Sequence, residues 1–290
     1  MKKCLLGILI FILTAYVMLC VGIYFYQEKI IFYPEKLPEN YQFNFNGDFE
    51  EITIRTQDNK LLNSVLFKTQ NPKGVIFYLH GNGGSIKGWS EVAKLYSSMN
   101  YDTFILDYRG CGKSGGKINS KDQLFSDVDI AYKILLRRYP ENKVIILGYS
   151  VGTGPAAKLA SEHNARLLIL QAPYYSIEDE MEQKISFLPK FLLKYNFETY
   201  KYLKTVESPV IIFHGDKDEI INYKASLKLK NEFKKGDSLI TLKGQHHNGI
   251  TDNSDYQNSM KMILEFDKKI KYESAFRFIK NHPRSGNPGD

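Results

Sequence analysis

The sequence predicts an α/β fold, a mostly parallel sheet with helices on both faces, behind an N-terminal helix that crosses a membrane. Three observations predict it. Short apolar runs alternate with helix-like stretches over residues 51–270, the rhythm of a strand followed by its covering helix. The later runs, such as Val144-Ile145-Ile146-Leu147, are apolar on both faces, as strands covered on both sides must be. No charged residue occurs from Cys4 to Tyr26, a span of about 23 residues or about 35 Å of helix, against a bilayer core of about 30 Å.

In chain order, residues 1–27 read as a membrane anchor. A cleavable signal peptide has an apolar core of about 7–15 residues ending at small residues. This run is longer, and it ends in Tyr24-Phe25-Tyr26, the aromatic belt of a membrane interface. Val17-Met18-Leu19 before Cys20 lacks the small residues of a lipoprotein cleavage site. Lys2 and Lys3 predict a cytoplasmic N-terminus and place the rest of the chain on the extracytoplasmic side. Residues 28–50 read as a linker stiffened by Pro34 and Pro38.

Strand-like runs follow at 51–55, 62–68, 75–79, 103–107, 143–147, 167–170, 210–213 and 239–242, and helix-like stretches at 86–99, 121–139, 151–163, 223–234 and 256–269. Ser120-Lys121-Asp122-Gln123 has the form of a capping box and marks one helix start. Residues 174–207 break the rhythm. They form an aromatic-rich, helix-like insert containing Phe187-Leu188-Pro189 and Phe191-Leu192-Leu193. It serves either as a cap over the carboxyl edge of the sheet or as an extra pair of helices packed on the core. Residues 271–290 read as a C-terminal extension with a polar tail.

Composition excludes several classes of function. The formal charge of +7 comes from lysines scattered over 290 residues, and no basic stripe interleaved with aromatics suits nucleic acid. Cys4 and Cys20 lie in the anchor, which leaves Cys111 without a disulfide partner in the rest, and no Cys-x-x-Cys exists for zinc or redox work.

The chemistry sits in the loops after the strands. Gly148-Tyr149-Ser150-Val151-Gly152 joins an apolar run to a helix-like stretch. Strand, G-x-S-x-G, then helix is the pattern of a nucleophile elbow, a tight turn that presents a serine hydroxyl. A serine needs a base, and usually a carboxylate to orient that base. His214-Gly215-Asp216-Lys217-Asp218 leaves one later strand and Gly244-Gln245-His246-His247-Asn248 the next. Either aspartate and either histidine meets the required order of Ser, acid, His. Leu79-His80-Gly81-Asn82-Gly83-Gly84 follows an earlier strand. The amides of Asn82 and of Val151 are the expected pair of donors for an oxyanion. Gly110-Cys111-Gly112-Lys113-Ser114-Gly115 matches G-x-G-x-x-G and the end of a P-loop. It carries neither function: a P-loop needs glycine where Asp107 stands, and four residues separate the glycines from the next helix start. Adjacent His246 and His247 diverge and have no third ligand, so they form no metal site.

With these motifs the chain resembles the α/β-hydrolase superfamily. The residues that carry the likeness are His80-Gly81-Asn82-Gly83, Asp107-Tyr108-Arg109-Gly110-Cys111-Gly112-Lys113-Ser114, the Ser150 pentapeptide, His214-Gly215-Asp216-Lys217-Asp218 and His247-Asn248. More closely, it is similar to single-pass, membrane-anchored α/β-hydrolase-domain proteins, whose anchor leads into a segment like Ile31-Phe32-Tyr33-Pro34. The likeness implies an α/β-hydrolase fold over 51–270, with Ser150 as nucleophile, Asp218 as the acid and His247 as the base. It implies no cofactor or metal. The expected function is a membrane-anchored serine hydrolase acting on a small-molecule or lipid-like ester or thioester. A serine aminopeptidase and a catalytically idle membrane-anchored interaction domain are the alternatives.

Overall fold

The computed structural model describes residues 2–265. Helix α1 (Lys2–Phe32) is uninterrupted. Its most apolar 18-residue window has a mean hydropathy of 2.8 and no buried residue, so it is long and apolar enough to cross a membrane. The linker expected over 28–50 begins only after Phe32. Gln27 and Phe32 are buried, and the Gln27 amide donates to the Leu192 carbonyl and accepts from the Lys194 N–H, each at 2.9 Å. Polar residues after Tyr26 therefore mark docking rather than helix termination. Beyond α1 the chain stays against the body, bridging Pro34 to Gly84 and Lys36 to Gly112.

The hairpin β1 (Asp48–Arg55) and β2 (Leu61–Lys68) comes next, then β3 (Gly74–Leu79). The stretch 86–99, expected as one helix, is two: α2 (Ile86–Trp89) and α3 (Glu91–Ser97). Gly88, a poor helix former, and Trp89, whose Nε1 donates to the Gly83 carbonyl at 2.9 Å, sit at the break. After β4 (Tyr101–Leu106), α4 (Lys121–Leu136) starts at Ser120, whose hydroxyl accepts from the Gln123 N–H at 3.1 Å. The Gln123 side chain in turn accepts from the Asn119 N–H, satisfying end amides that the helix cannot. β5 (Val144–Tyr149), α5 (Thr153–Ala160) and β6 (Leu167–Gln171) follow.

Within residues 174–207 lie α6 (Ile177–Lys184), a 3-10 turn at Lys190–Leu192 and α7 (Thr199–Leu203). Tyr195, Phe197, Leu203 and Val206 are buried in the same cluster as α4 and α5. Lys184 Nζ reaches the Ile220 carbonyl at 2.6 Å, so the insert both packs on a helical layer and leans on the carboxyl edge of the sheet. The chain continues through β7 (Val210–Gly215), α8 (Lys224–Leu229), β8 (Ser238–Leu242) and α9 (Ser254–Glu265). The remainder of the helix-like stretch 256–269 and the extension 271–290 lie outside the described residues.

Among the described residues, eight strands form one sheet in the order β1-β2-β4-β3-β5-β6-β7-β8, antiparallel from β1 to β4 and parallel from β4 through β3 to β8. Side chains alternate between the faces, as the pleat requires. Val75, Phe77 and Leu79 of β3 enter the cluster under α4 and α5, and Ile76 and Tyr78 enter the one under α3 and α9. The glycine-rich turn after β4 is a structural tie. Ser114 Oγ donates to the Asp107 carbonyl at 2.7 Å and accepts the Asn63 N–H at 2.8 Å, while Arg109 bridges Asp58 and Asp127.

Candidate active site

Parallel strands bring the loops after β3, β5, β7 and β8 to one edge, and the candidate residues stand on those loops. β5 ends at Tyr149, and Ser150–Gly152 make a 3-10 turn into α5. Ser150 has φ +50°, a left-handed conformation that costs a non-glycine residue and persists only where the surroundings impose it. The two glycines of the elbow explain how. A Cβ on Gly148 would lie 2.5 Å from the Gly152 carbonyl oxygen and 2.7 Å from Ala156 Cβ. One on Gly152 would lie 2.2 Å from the Leu79 carbonyl oxygen at the end of β3. The second contact puts the loop after β3 directly beside the elbow.

His247 Nε2 lies 3.0 Å from Ser150 Oγ, and its Nδ1 lies 2.7 Å from Asp218 Oδ2. All three are buried. A carboxylate can only accept, so Nδ1 carries the proton and Nε2 is free to accept from the serine hydroxyl. Asp218 is held in turn: Oδ1 accepts the Ile220 and Ile221 N–H groups at 2.9 and 2.8 Å. Burial alone would raise its pKa, but hydrogen bonds from His214 and His247 outweigh that and hold it well below the usual carboxylate range. Tyr149 steadies the base, its hydroxyl donating to the His247 carbonyl at 3.0 Å.

The neighbours of these residues do other things. His246 points to solvent and meets Glu219 Oε2 at 3.0 Å. Asp216 accepts the Gly244 N–H at 2.7 Å, fastening the loop after β7 to the loop after β8. In the loop after β3, the Asn82 side chain donates to the Ile30 carbonyl at 2.9 Å and the Gly83 N–H to the Phe32 carbonyl at 2.9 Å. The end of α1 thus holds this loop. Among the described residues no backbone carbonyl takes the Asn82 N–H, and the Val151 N–H lies in a first helical turn, where no carbonyl is available.

A family model described as serine aminopeptidase, S33, matches residues 70–205, a span that holds Ser150 but neither Asp218 nor His247. Protein bem46 of Schizosaccharomyces pombe is 28% identical over 225 residues, covering 71% of this chain and 75% of that protein. Human alpha/beta hydrolase domain-containing protein 17B is 29% identical over 220 residues, covering 73% and 74%. Among solved structures, an esterase of Pyrococcus furiosus superposes with a TM-score of 0.65 at 18% identity, over 80% of this chain and 98% of that one. A serine hydrolase homologue from Coxiella burnetii does so with 0.58 at 18% identity, over 77% and 98%. The chain belongs to the α/β-hydrolase superfamily.

As an α/β hydrolase it carries site features that spacing did not reveal. His214, seen in the sequence only as part of a turn, is fully buried. Its Nε2 stands 2.9 Å from the Ile221 carbonyl and 3.2 Å from Asp218 Oδ2, and its Nδ1 stands 2.6 Å from Ser226 Oγ. Tyr174, first residue of the insert, donates to the Val151 carbonyl and accepts the Gly154 N–H, both at 3.1 Å, bracing the turn from behind. Behind the loop after β3 lie His80 and Asp107, 3.9 Å apart. Burial pushes His80 down to about 4 and Asp107 up to about 7. No group of three His, Cys, Asp or Glu suited to a metal ion occurs among the described residues.

Proposed function

We propose that this α/β hydrolase is a membrane-anchored serine hydrolase that cleaves a carboxylic ester or thioester through an acyl-enzyme. The observation that carries the reading is the chain of contacts Ser150 Oγ to His247 Nε2 at 3.0 Å and His247 Nδ1 to Asp218 Oδ2 at 2.7 Å. Ser150 Oγ attacks the carbonyl carbon while His247 Nε2 takes its proton. Asp218 stabilises the imidazolium and keeps the ring oriented. Negative charge that develops on the carbonyl oxygen is met by the N–H groups of Asn82 and Val151. Collapse of the tetrahedral adduct expels an alkoxide or thiolate, which takes the proton from His247. Water, deprotonated by the same nitrogen, then attacks the acyl carbon and returns Ser150. The length and apolarity of α1 support its role as the anchor, and Lys2 and Lys3 support a cytoplasmic N-terminus with the catalytic domain outside.

A second reading, an aminopeptidase, draws on Glu180 of α6. This carboxylate is buried with one oxygen unpartnered, and a free substrate amine would suit it. Labelling by a fluorophosphonate probe tests the shared mechanism: the chain should label and the Ser150→Ala chain should not. Equal labelling of the two would sink it. Turnover of p-nitrophenyl esters and acyl-thioesters, set against aminoacyl amides, separates the two readings.

A further inference from the structure

We propose that the tip of the insert, residues 185–191, lies inside the bilayer beside α1, so that the chain meets lipid through two elements rather than one. The inference rests on the reading of α1 as a membrane anchor. α1 is covered along one stripe, Tyr16, Cys20, Ile23, Gln27 and Ile31, at the spacing of a single helix face. Against that stripe lies the insert. Gln27 holds Leu192 and Lys194, and farther toward the N-terminus Tyr16 donates its hydroxyl to the Phe187 carbonyl at 2.8 Å.

Those contacts fix the depth of the tip. With Lys3 at one headgroup layer, a bilayer core of about 30 Å takes about 20 residues of helix and reaches Ile23 or Tyr24. Tyr16 then lies about 11 Å inside that boundary, and a tilt, which lengthens the run of helix within the core, only carries it deeper. The Phe187 carbonyl must share that depth. A helix cannot both span the membrane from Cys4 and leave the tip in water.

The chemistry of the tip suits the position. Ile185, Phe187 and Phe191 are 37%, 60% and 82% exposed, and the last two have little protein around them to pack against. In hydrocarbon, backbone polar groups need partners from the protein. Tyr16 serves Phe187, Gln27 serves Leu192 and Lys194, the Leu188 N–H donates to the Ile185 carbonyl, and Pro189 has no N–H to satisfy. Polar groups mark the headgroup level. Lys194 Nζ sits 4.3 Å from the Tyr24 ring centroid and 2.9 Å from Glu28, an aromatic and cationic belt of the kind found at interfaces. Lys184, just before the tip, turns its charge to the Ile220 carbonyl, and Lys190 within it reaches back on its long stem to Glu178 and Glu182 of α6.

Tryptophan quenching in the full-length chain tests this. Trp89 is the native tryptophan, and its signal is the baseline. Leu13→Trp reports on the anchor, Phe187→Trp and Phe191→Trp on the tip, and Lys73→Trp on the far, water-facing edge of the sheet. Each is reconstituted in phosphatidylcholine vesicles with or without brominated acyl chains. We expect the Leu13→Trp, Phe187→Trp and Phe191→Trp proteins to lose emission to bromine and the Lys73→Trp protein to keep it. Phe187→Trp should respond more to bromine deep along the acyl chain, the depth that Tyr16 sets for it, than Phe191→Trp, whose neighbour Leu192 is held at Gln27. If only Leu13→Trp is quenched, the anchor stands and the inserted tip is wrong. If Leu13→Trp keeps its emission as well, the anchor reading fails and takes this inference with it.

Discussion

His246 and His247 are chain neighbours with opposite surroundings, one beside Glu219 in solvent and the other between Ser150 and Asp218. His247→Ala should therefore remove nearly as much kcat as Ser150→Ala, and His246→Ala should cost little. Comparable losses in the two histidine variants would mean that the base is shared or misassigned. Asp218→Asn should lower kcat by about 10⁴-fold, the scale of the same change in a serine protease triad. Asp216→Asn, which disturbs only a loop fastening, should be mild by comparison. His214→Ala should fall between them, reducing kcat with little change in KM, because it positions Asp218 without touching substrate. At this scale the sequence was half legible. Order and strand-end placement grouped Ser150 with an aspartate and a histidine, but two candidates remained for each partner, because local spacing does not say which side chain turns inward. His214 was illegible for a similar reason: its contact with Asp218 depends on how the chain folds back after β7.

The elbow and α1 are the elements that set the site. Gly152→Ala would drive a Cβ into the Leu79 carbonyl, and two strand-end backbones cannot part without moving the loop that carries Asn82. A loss of about 1–3 kcal/mol is expected, as for other overpacked positions, together with reduced turnover. Gly88→Ala, which meets nothing within 4 Å, is the control, and thermal melts of the two variants decide the point. α1 gives a second test. A chain beginning at Tyr24 keeps Gln27 and Phe32, whereas one beginning at Tyr33 loses Phe32 from its place against Tyr195 and Phe197 and frees the loop after β3. The first should be stable and active and the second weaker by about 3–5 kcal/mol, the usual scale for deleting a buried phenylalanine. Equal melting temperatures would mean that the docked turn contributes nothing. Strands β3, β5, β6 and β7 were the most legible as elements because their runs are apolar on both faces and flanked by polar turns. The end of α1 was not, because Gln27 and Glu28 read as the edge of a membrane span until their partners 165 residues or more along the chain are in view.

Across the whole molecule, His80 and Asp107 give stability an opposed dependence on pH. The folded chain keeps a proton on Asp107 up to about 7, whereas an unfolded aspartate releases it near about 3.9. That contribution favours the fold at low pH and is lost as pH climbs from about 4 to about 7. His80 is held neutral down to about 4, whereas an unfolded histidine takes up a proton near about 6.5, so its contribution is lost as pH falls through that range. The two offset each other over the same window. Asp107→Asn should leave the His80 slope alone, so the variant should gain on the parent by a few kcal/mol between about pH 4.5 and about pH 7.5. Denaturant titration of both chains in detergent measures it, and a constant difference would mean that Asp107 is ionised throughout. The distance between Ser150 and its base along the chain has a further consequence, for biosynthesis. His247 follows Ser150 by 97 residues, which at about 5–20 residues per second takes roughly 5–20 s to translate. Through that interval the nascent serine has no base. It leaves the ribosome as an ordinary alcohol and can attack no ester in its surroundings until β8 and the loop after it have been made.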